Sequence, residues 1–479
     1  MSEIIIRNAT IIDGSGKAGY RADVHVHGDR IAAIGDLSGR GDLSHVEQRD
    51  AEGLVLCPGF IDSHAHDDTA LLRDPAMAAK VTQGVTTVVT GNCGISIAPL
   101  VTKAPPPPLD LITAGDPDAF RFGTFGAYVA ALEENPATVN AAPMVGHSTL
   151  RVAAMSDVGN PATEEEIANM RTLLREAIDA GAIGFSTGLF YPTSRAAPAS
   201  EVEALLRELE GSRAVYATHM RDEADQIDAA LDESFGTARE ANVPLIISHH
   251  KCMGKHNFGR STETLKKIDE AAKGQPVSFD VYPYTAGSTV LLPNLIDMAQ
   301  RVQLTWSTPF PELAGRDLAD IAADWDVSLQ EAMRRLSPGG AIYYMMDQDD
   351  VDRILQHHSA MIGSDGMPHD TFPHPRLWGT FPRVLGHYSR DRGLFSLEEA
   401  VHRMTGLTAE KFGLDGRGII AEGAYADLVL FDPETIIDRA TFDDPVAPAA
   451  GIHAVFVNGE AVFDQGAVTT SRPGRVLRH

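Results

Sequence analysis

The segment Gly59-Phe-Ile-Asp-Ser-His-Ala-His66 is a short apolar run closed by two histidines one residue apart. In extended backbone, residues i and i+2 face the same way. His64 and His66 can therefore present their rings to one ion. Downstream, short apolar runs recur and again end in polar or ligand-type residues. The pattern predicts strands over 60–63, 86–90, 139–145, 183–186, 214–218, 244–248, 277–281 and 361–364. Helical periodicity lies between several of them, most clearly over 164–180 and 226–241. Eight strands in βα alternation favour a parallel α/β barrel of the TIM type, (β/α)8, over an open sheet.

The two ends of the chain read differently. Runs over 3–6, 10–12, 23–26 and 31–34 are broken by Gly-containing turns, as in β structure. Runs over 427–431 and 453–457 look alike, and Asn458-Gly459 is a hairpin signal. The expectation is a small β-sandwich-like domain built from residues 1–58 and 417–479, flanking a barrel over 59–416. The stretch 286–348 carries helical periodicity and no barrel strand. It reads as an insertion after the seventh strand, forming a subdomain over the barrel mouth, where insertions shape the substrate pocket. The proline run 105–108 reads as an extended exposed loop.

Composition narrows the function classes. The formal net charge is −26 over 479 residues. Such a surface repels phosphate backbones and anionic lipid heads, which argues against nucleic-acid and membrane partners. Three cysteines, Cys57, Cys93 and Cys252, make no disulfide framework and suit a reducing compartment. The three isoleucines between Glu3 and Arg7 are too few for a signal-peptide core. A cytoplasmic enzyme is the expectation. A monomer or small homo-oligomer, acting on a small-molecule substrate, is expected.

Ligand-type side chains fall at the C-terminal ends of the predicted strands: His64 and His66 after the first, Cys93 after the second, His219 at the fifth, His249 at the sixth and Asp365 at the eighth. A barrel gathers those ends at one mouth, and catalytic zinc takes ligands of these types from separate elements. His249 and His250 are adjacent and point oppositely, so one of the two is a ligand.

Longer motifs around these residues carry a resemblance. Pro58-Gly-Phe-Ile-Asp-Ser-His-Ala-His66 resembles the first-strand signature of the amidohydrolase superfamily. Thr90-Gly-Asn-Cys-Gly94, Ala217-Thr-His-Met-Arg-Asp-Glu223, Ser248-His-His-Lys251, Asp280-Val-Tyr-Pro-Tyr-Thr-Ala-Gly-Ser-Thr289 and Gly363-Ser-Asp-Gly366 resemble the N-acyl-D-amino-acid deacylases within it. Many superfamily members bridge two metals with a carbamylated lysine from the middle strands. This chain has no lysine between Lys103 and Lys251, and the Cys93 thiolate can take that place.

The resemblance implies one tightly held Zn2+ on Cys93, His219 and His249, with His249 preferred to His250 by position. It implies a second, weaker metal position near His64 and His66, with Asp365 adjacent. Asp365 is then the general base that activates water and later protonates the leaving amine. Arg376, Tyr282, Lys251, Ser288 and Tyr191 are implied to hold the substrate's α-carboxylate or acyl group. The substrate implied is an N-acyl-D-amino acid. Leu291, Leu292, Leu295, Met345 and Met346 lie in the insertion, and 289–300 contains no Arg or Lys. Because a charged substrate side chain needs a paired cation, apolar D-residues such as D-Met, D-Leu and D-Phe are expected. The alternatives are an N-acyl-D-glutamate or D-aspartate deacylase, a cyclic-amide hydrolase of the hydantoinase type, and a non-catalytic barrel scaffold.

Overall fold

The structure is a computed structural model and describes residues 3–39, 43, 45–113 and 115–479. Its centre is a ring of parallel strands: Phe60–Asp62, Val85–Thr90, Asn140–Pro143 continuing as Val145–Gly146, Gly184–Gly188, Val215–His219, Leu245–Ile247, Val277–Val281 and Ala360–Ile362. Each pairs in parallel with the next. The ring closes where Ser63 N donates to Ile362 O at 3.3 Å, Asp365 N donates to His64 O at 2.8 Å, and Ala65 bridges Gly366. The strands are buried along their whole length, which is why they read as continuous rather than alternating apolar runs.

Helices cover the ring. Glu164–Asp179 begins at a capping box in which Thr163 Oγ1 accepts from Glu166 N and Glu166 Oε2 accepts from Thr163 N. It buries Met170, Leu174 and Ala177, spaced for one helical face. Ile227–Ala241 stops at Asn242, which adopts a left-handed conformation with φ 53°.

Strands from both ends of the chain share one sheet. Among the described residues it has nine strands, in which Val55–Pro58 pairs on one side with Glu3–Ile11 and on the other with Leu428–Phe431. A separate core fills it, including Ile6, Val24, Leu56, Leu430 and Phe456. The runs read at 3–6 and 10–12 are a single strand with an irregularity between Ile6 and Ala9, where Asn8 has φ 62°. This is a bulge rather than a turn. Asn458 and Gly459 both have positive φ and join Ile452–Val457 to Glu460–Asp464 as a hairpin.

The 286–348 stretch differs from its helical reading. It contains the helices Pro293–Met298, Leu318–Asp324 and Leu329–Leu336, but also a three-stranded antiparallel sheet of Ala286–Val290, Gly339–Tyr344 and Arg301–Ser307. Gly287, Gly339 and Gly340 lie in those strands. Glycine weakens the strand pattern in sequence, and here it admits close backbone approach: a Cβ on Gly339 would lie 2.7 Å from Trp306 O.

A buried polar cluster couples the barrel to the terminal sheet. Arg417 pairs with Asp427 and donates to Asn458 Oδ1 at 3.0 Å. Asp427 also accepts from Asn140 Nδ2 at 3.2 Å and Asn458 N at 2.7 Å. Both charged side chains are 4% exposed. Removing one partner strands a buried charge. Arg417→Ala is expected to lower unfolding stability by about 3–5 kcal/mol, read as a fall in the guanidinium midpoint. An unchanged midpoint would contradict the coupling.

Candidate metal centre and active site

Six ligand-type side chains converge at the C-terminal end of the barrel, all buried. Cys93 Sγ lies 3.2 Å from His64 Nε2 and 3.3 Å from His249 Nε2. His249 Nε2 lies 3.0 Å from His219 Nδ1. Asp365 Oδ1 lies 3.2 Å from His66 Nε2 and 3.6 Å from His64 Nε2. The expected separation into a Cys93–His219–His249 position and a His64–His66–Asp365 position is not sharp, because His64 Nε2 touches both groups. His250 turns away from the cluster: its Nε2 meets Thr264 Oγ1 at 2.9 Å and its ring packs edge-on to Phe279.

Three of these residues have left-handed backbone: Cys93 at φ 55°, His249 at φ 37° and Asp365 at φ 48°. Such conformations are costly for non-glycine residues and persist only where the surroundings hold them. Around Cys93 the holding groups are visible. Gly94 N donates to Ser186 Oγ at 2.9 Å, and Ser186 Oγ donates to Gly91 O. Gly91 and Gly94 have positive φ, and a Cβ on Gly91 would lie 2.0 Å from Met144 O. Only glycine fits there.

The electrostatics favour a bound cation. Burial pushes the Cys93 thiol up, yet His64 and His249 hold it well below its usual range. Burial likewise pushes Asp365 up, but Arg376, His64 and His66 hold its carboxyl well below the carboxylate range. His64 is raised, against burial, by Asp280, Cys93 and Asp365. Burial lowers His219 to about 4, and its Nε2 has no hydrogen-bond partner. The cluster sets a thiolate and carboxylates against imidazoles, whose balancing positive charge a bound cation would supply in their place. Donor atoms 3.0–3.3 Å apart are close enough to share one ion. A thiolate with imidazoles is a zinc-type donor set.

Selecting residues by ligand type at strand ends passes over the groups that aim the ligands. Asp280 ends the seventh strand; it accepts from His249 N at 2.8 Å, and its two oxygens lie 3.1 and 3.3 Å from His64 Nδ1. Its strand-end place is the signal that marks it. Glu223 Oε1 lies 3.0 Å from His249 Nδ1. Carboxylates behind metal-ligating imidazoles fix ring orientation and raise basicity. Beneath them Lys80 Nζ is buried, 2.7 Å from Asp62 Oδ2, 3.0 Å from Asp67 Oδ2 and 3.0 Å from Ser364 Oγ. Asp62 also accepts from His64 N and Ser364 N, which ties the first strand's end to the eighth's.

The expected substrate-binding residues surround this centre in different states. Arg376 is fully buried; its Nη1 lies 2.9 Å from Asp365 Oδ2, and its Nη2 donates to Ser288 O at 3.2 Å. Its Nε and Nη1 donate no aligned hydrogen bond. The guanidinium sits over the Tyr282 ring at 4.6 Å. Burial raises the Tyr282 hydroxyl to about 12. Lys251 Nζ is held by Glu223 at 2.8 and 2.9 Å. Tyr191 OH meets Thr289 Oγ1 at 3.0 Å and the ring abuts His219. One cavity is lined by Asp365, His219, His249, Lys251, Tyr282 and Ser288 on its polar side, with Phe190, Met253, Leu295 and Met345 on its apolar side. Of the five apolar insertion residues, Leu295 and Met345 reach this cavity. Met346 lines a neighbouring one beside Tyr282.

Comparison with known proteins agrees with this geometry. Residues 47–305 and 313–463 match the amidohydrolase family. D-aminoacylase of Alcaligenes xylosoxydans xylosoxydans is 56% identical, over 99% of this chain and 97% of that protein. A solved D-aminoacylase structure, described for its binuclear metal centre with one-metal activation and second-metal attenuation, superposes with TM-score 0.97 at 54% identity over 100% of both chains. N-acyl-D-glutamate deacylase from Bordetella bronchiseptica, solved with zinc and a phosphonate inhibitor, superposes with TM-score 0.93 at 46% identity over 100% of both chains.

Metal content distinguishes the two adjacent histidines. His249→Ala is expected to lose the tightly bound metal, whereas His250→Ala keeps it, by elemental analysis after dialysis. Asp280→Asn is expected to keep the ligands but weaken metal affinity about 10–100-fold. Retention of wild-type affinity in Asp280→Asn would remove Asp280 from this role.

Proposed function

The chain belongs to the amidohydrolase family, and from that membership we propose that it is a zinc-dependent hydrolase of N-acyl-D-amino acids, releasing a carboxylate and the free D-amino acid. The observation that carries the reading is the convergence of Cys93, His64, His219 and His249 beside an ionised Asp365. Cys93 and His249, with His219 and His64 against them, would hold the tight zinc. His66, His64 and Asp365 would form the weaker position. Zinc bound there polarises an amide carbonyl and makes water nucleophilic at neutral pH.

The chain's own groups supply the remaining chemistry. Asp365, kept anionic by Arg376 and the imidazoles, accepts the proton of the attacking water and delivers it to the departing amine nitrogen. Arg376 lies behind Asp365, Ser288 and Tyr282 of the cavity wall, has N–H groups without an aligned partner, and offers a planar fork suited to the substrate's α-carboxylate. The Tyr282 hydroxyl stays protonated and can donate. Tyr191, Ser288 and Lys251 complete the polar wall, with Lys251 acting through its pair with Glu223.

The side chain of the substrate meets the apolar wall of Phe190, Met253, Leu295 and Met345. Lys251 is the one cation among the described residues lining this cavity, and Glu223 already neutralises it. An acidic substrate side chain would lie there without a counter-charge. Apolar D-residues are therefore the proposed substrates. Three buried free thiols suit a reducing cytoplasm, which is the proposed compartment. Among the described residues no helix is long and apolar enough to cross a membrane.

The test is amine release from paired N-acetyl-D- and N-acetyl-L-amino acids, with a hydantoin as control. Turnover is expected for the D forms of methionine, leucine and phenylalanine, and weak or absent for D-glutamate and D-aspartate. Strong D-glutamate activity would overturn the apolar assignment, and activity on hydantoin alone would overturn the linear-amide one. Asp365→Asn is expected to lower kcat by about 10²–10⁴-fold while elemental analysis still finds the tight zinc.

A further inference from the structure

Away from the barrel mouth, the terminal sheet carries a second group of convergent ligand atoms. The strand Tyr20–His27 pairs antiparallel with Glu3–Ile11, placing Glu3 opposite His27 and Ile5 opposite His25. His25 and His27 are two apart in a strand and project from one face. Glu3 Oε1 lies between their rings, 3.0 Å from His25 Nε2 and 3.2 Å from His27 Nδ1. All three donor atoms fall within 4.8 Å of one another. The side chains of His25, Glu3 and His27 are 9%, 27% and 53% exposed, so the group opens to solvent along one edge.

We propose that Glu3, His25 and His27 form a surface binding site for a divalent transition ion such as Zn2+, separate from the catalytic centre. The spacing supports this. Oxygen-to-nitrogen distances of 3.0 and 3.2 Å match ligand-to-ligand edges around an ion at about 2.0–2.2 Å. Two imidazoles and one carboxylate select borderline ions of the zinc, nickel and copper kind over magnesium or calcium. The carboxylate is ionised: the neighbouring His27 and His25 hold Glu3 below its ordinary range. The donors sit on paired strands and not on a loop, so binding orders little additional chain. Water fills the remaining positions on the exposed side. None of the three residues belongs to the catalytic centre, so loading this site adds a metal equivalent without adding turnover.

The experiment is equilibrium dialysis of the zinc holoenzyme against graded Zn2+ at pH 7.5, with metal per chain measured for wild type, His27→Ala and Glu3→Gln. Both substituted side chains are partly exposed, so the fold tolerates the changes, and circular dichroism checks this. Wild type is expected to take up one zinc more than His27→Ala at pH 7.5. Glu3→Gln is expected to bind this equivalent at least tenfold more weakly, with deacylase turnover equal in all three proteins. Identical zinc uptake by wild type and His27→Ala at pH 7.5 would overturn the proposal.

Discussion

Keeping a thiolate and a set of carboxylates ionised out of water is the constraint that organises this molecule. A lone buried anion is prohibitively costly, and a buried ion pair is tolerable only when well aligned and fully hydrogen-bonded. The barrel mouth meets this in part by setting buried lysines and an arginine against its carboxylates. Lys80 serves Asp62 and Asp67, Lys251 serves Glu223, and Arg376 serves Asp365. Cys93 has no lysine or arginine of this kind; its neighbours are the imidazoles of His64 and His249. Those imidazoles balance the thiolate, and a bound metal ion would take over that role.

The same pairs fix geometry. Asp62 grips Lys80 and Ser364 and accepts from the His64 amide, so the strand carrying the two histidines cannot move independently of the strand carrying Asp365. Asp280 does the equivalent for His64 and His249. Left-handed conformations at Cys93, His249 and Asp365 turn three side chains off the strand direction and into the mouth. Their strain is stored against these networks, so the positions of the donors are set by the folded barrel before any ion or substrate arrives.

Much of this was legible in the sequence because a parallel barrel converts strand ends into neighbours. Ligand types after the first, second, fifth, sixth and eighth strands needed only that rule. Asp280 and Glu223 were harder to read. The chain has 66 aspartates and glutamates, so residue type alone does not separate a carboxylate that steers an imidazole from one that faces solvent. Which of His249 and His250 turns inward depended on a positive φ at His249, which alternation along a strand does not predict. The sheet in the 286–348 insertion was hidden by glycines at the positions of closest backbone approach. The bulge at Asn8 split one strand into two apparent ones. In each case tertiary contact, not local propensity, made the choice.

Charge pairing also bears on selectivity. An active site that binds an α-carboxylate must expose positive charge to it, while one that accepts an apolar side chain must offer none nearby. The proposed preference for apolar D-residues rests on cations that are committed unequally. Lys251 is neutralised at both Glu223 oxygens, and the wall beyond it is Leu295, Met345, Met253 and Phe190. Arg376 instead meets Asp365 with a nitrogen that is close but not aligned to donate. A guanidinium in that state has N–H groups still to satisfy, which a second carboxylate can do without breaking the pair with Asp365. In the proposed mechanism, recognition of the carboxylate and ionisation of the base thus depend on one arginine.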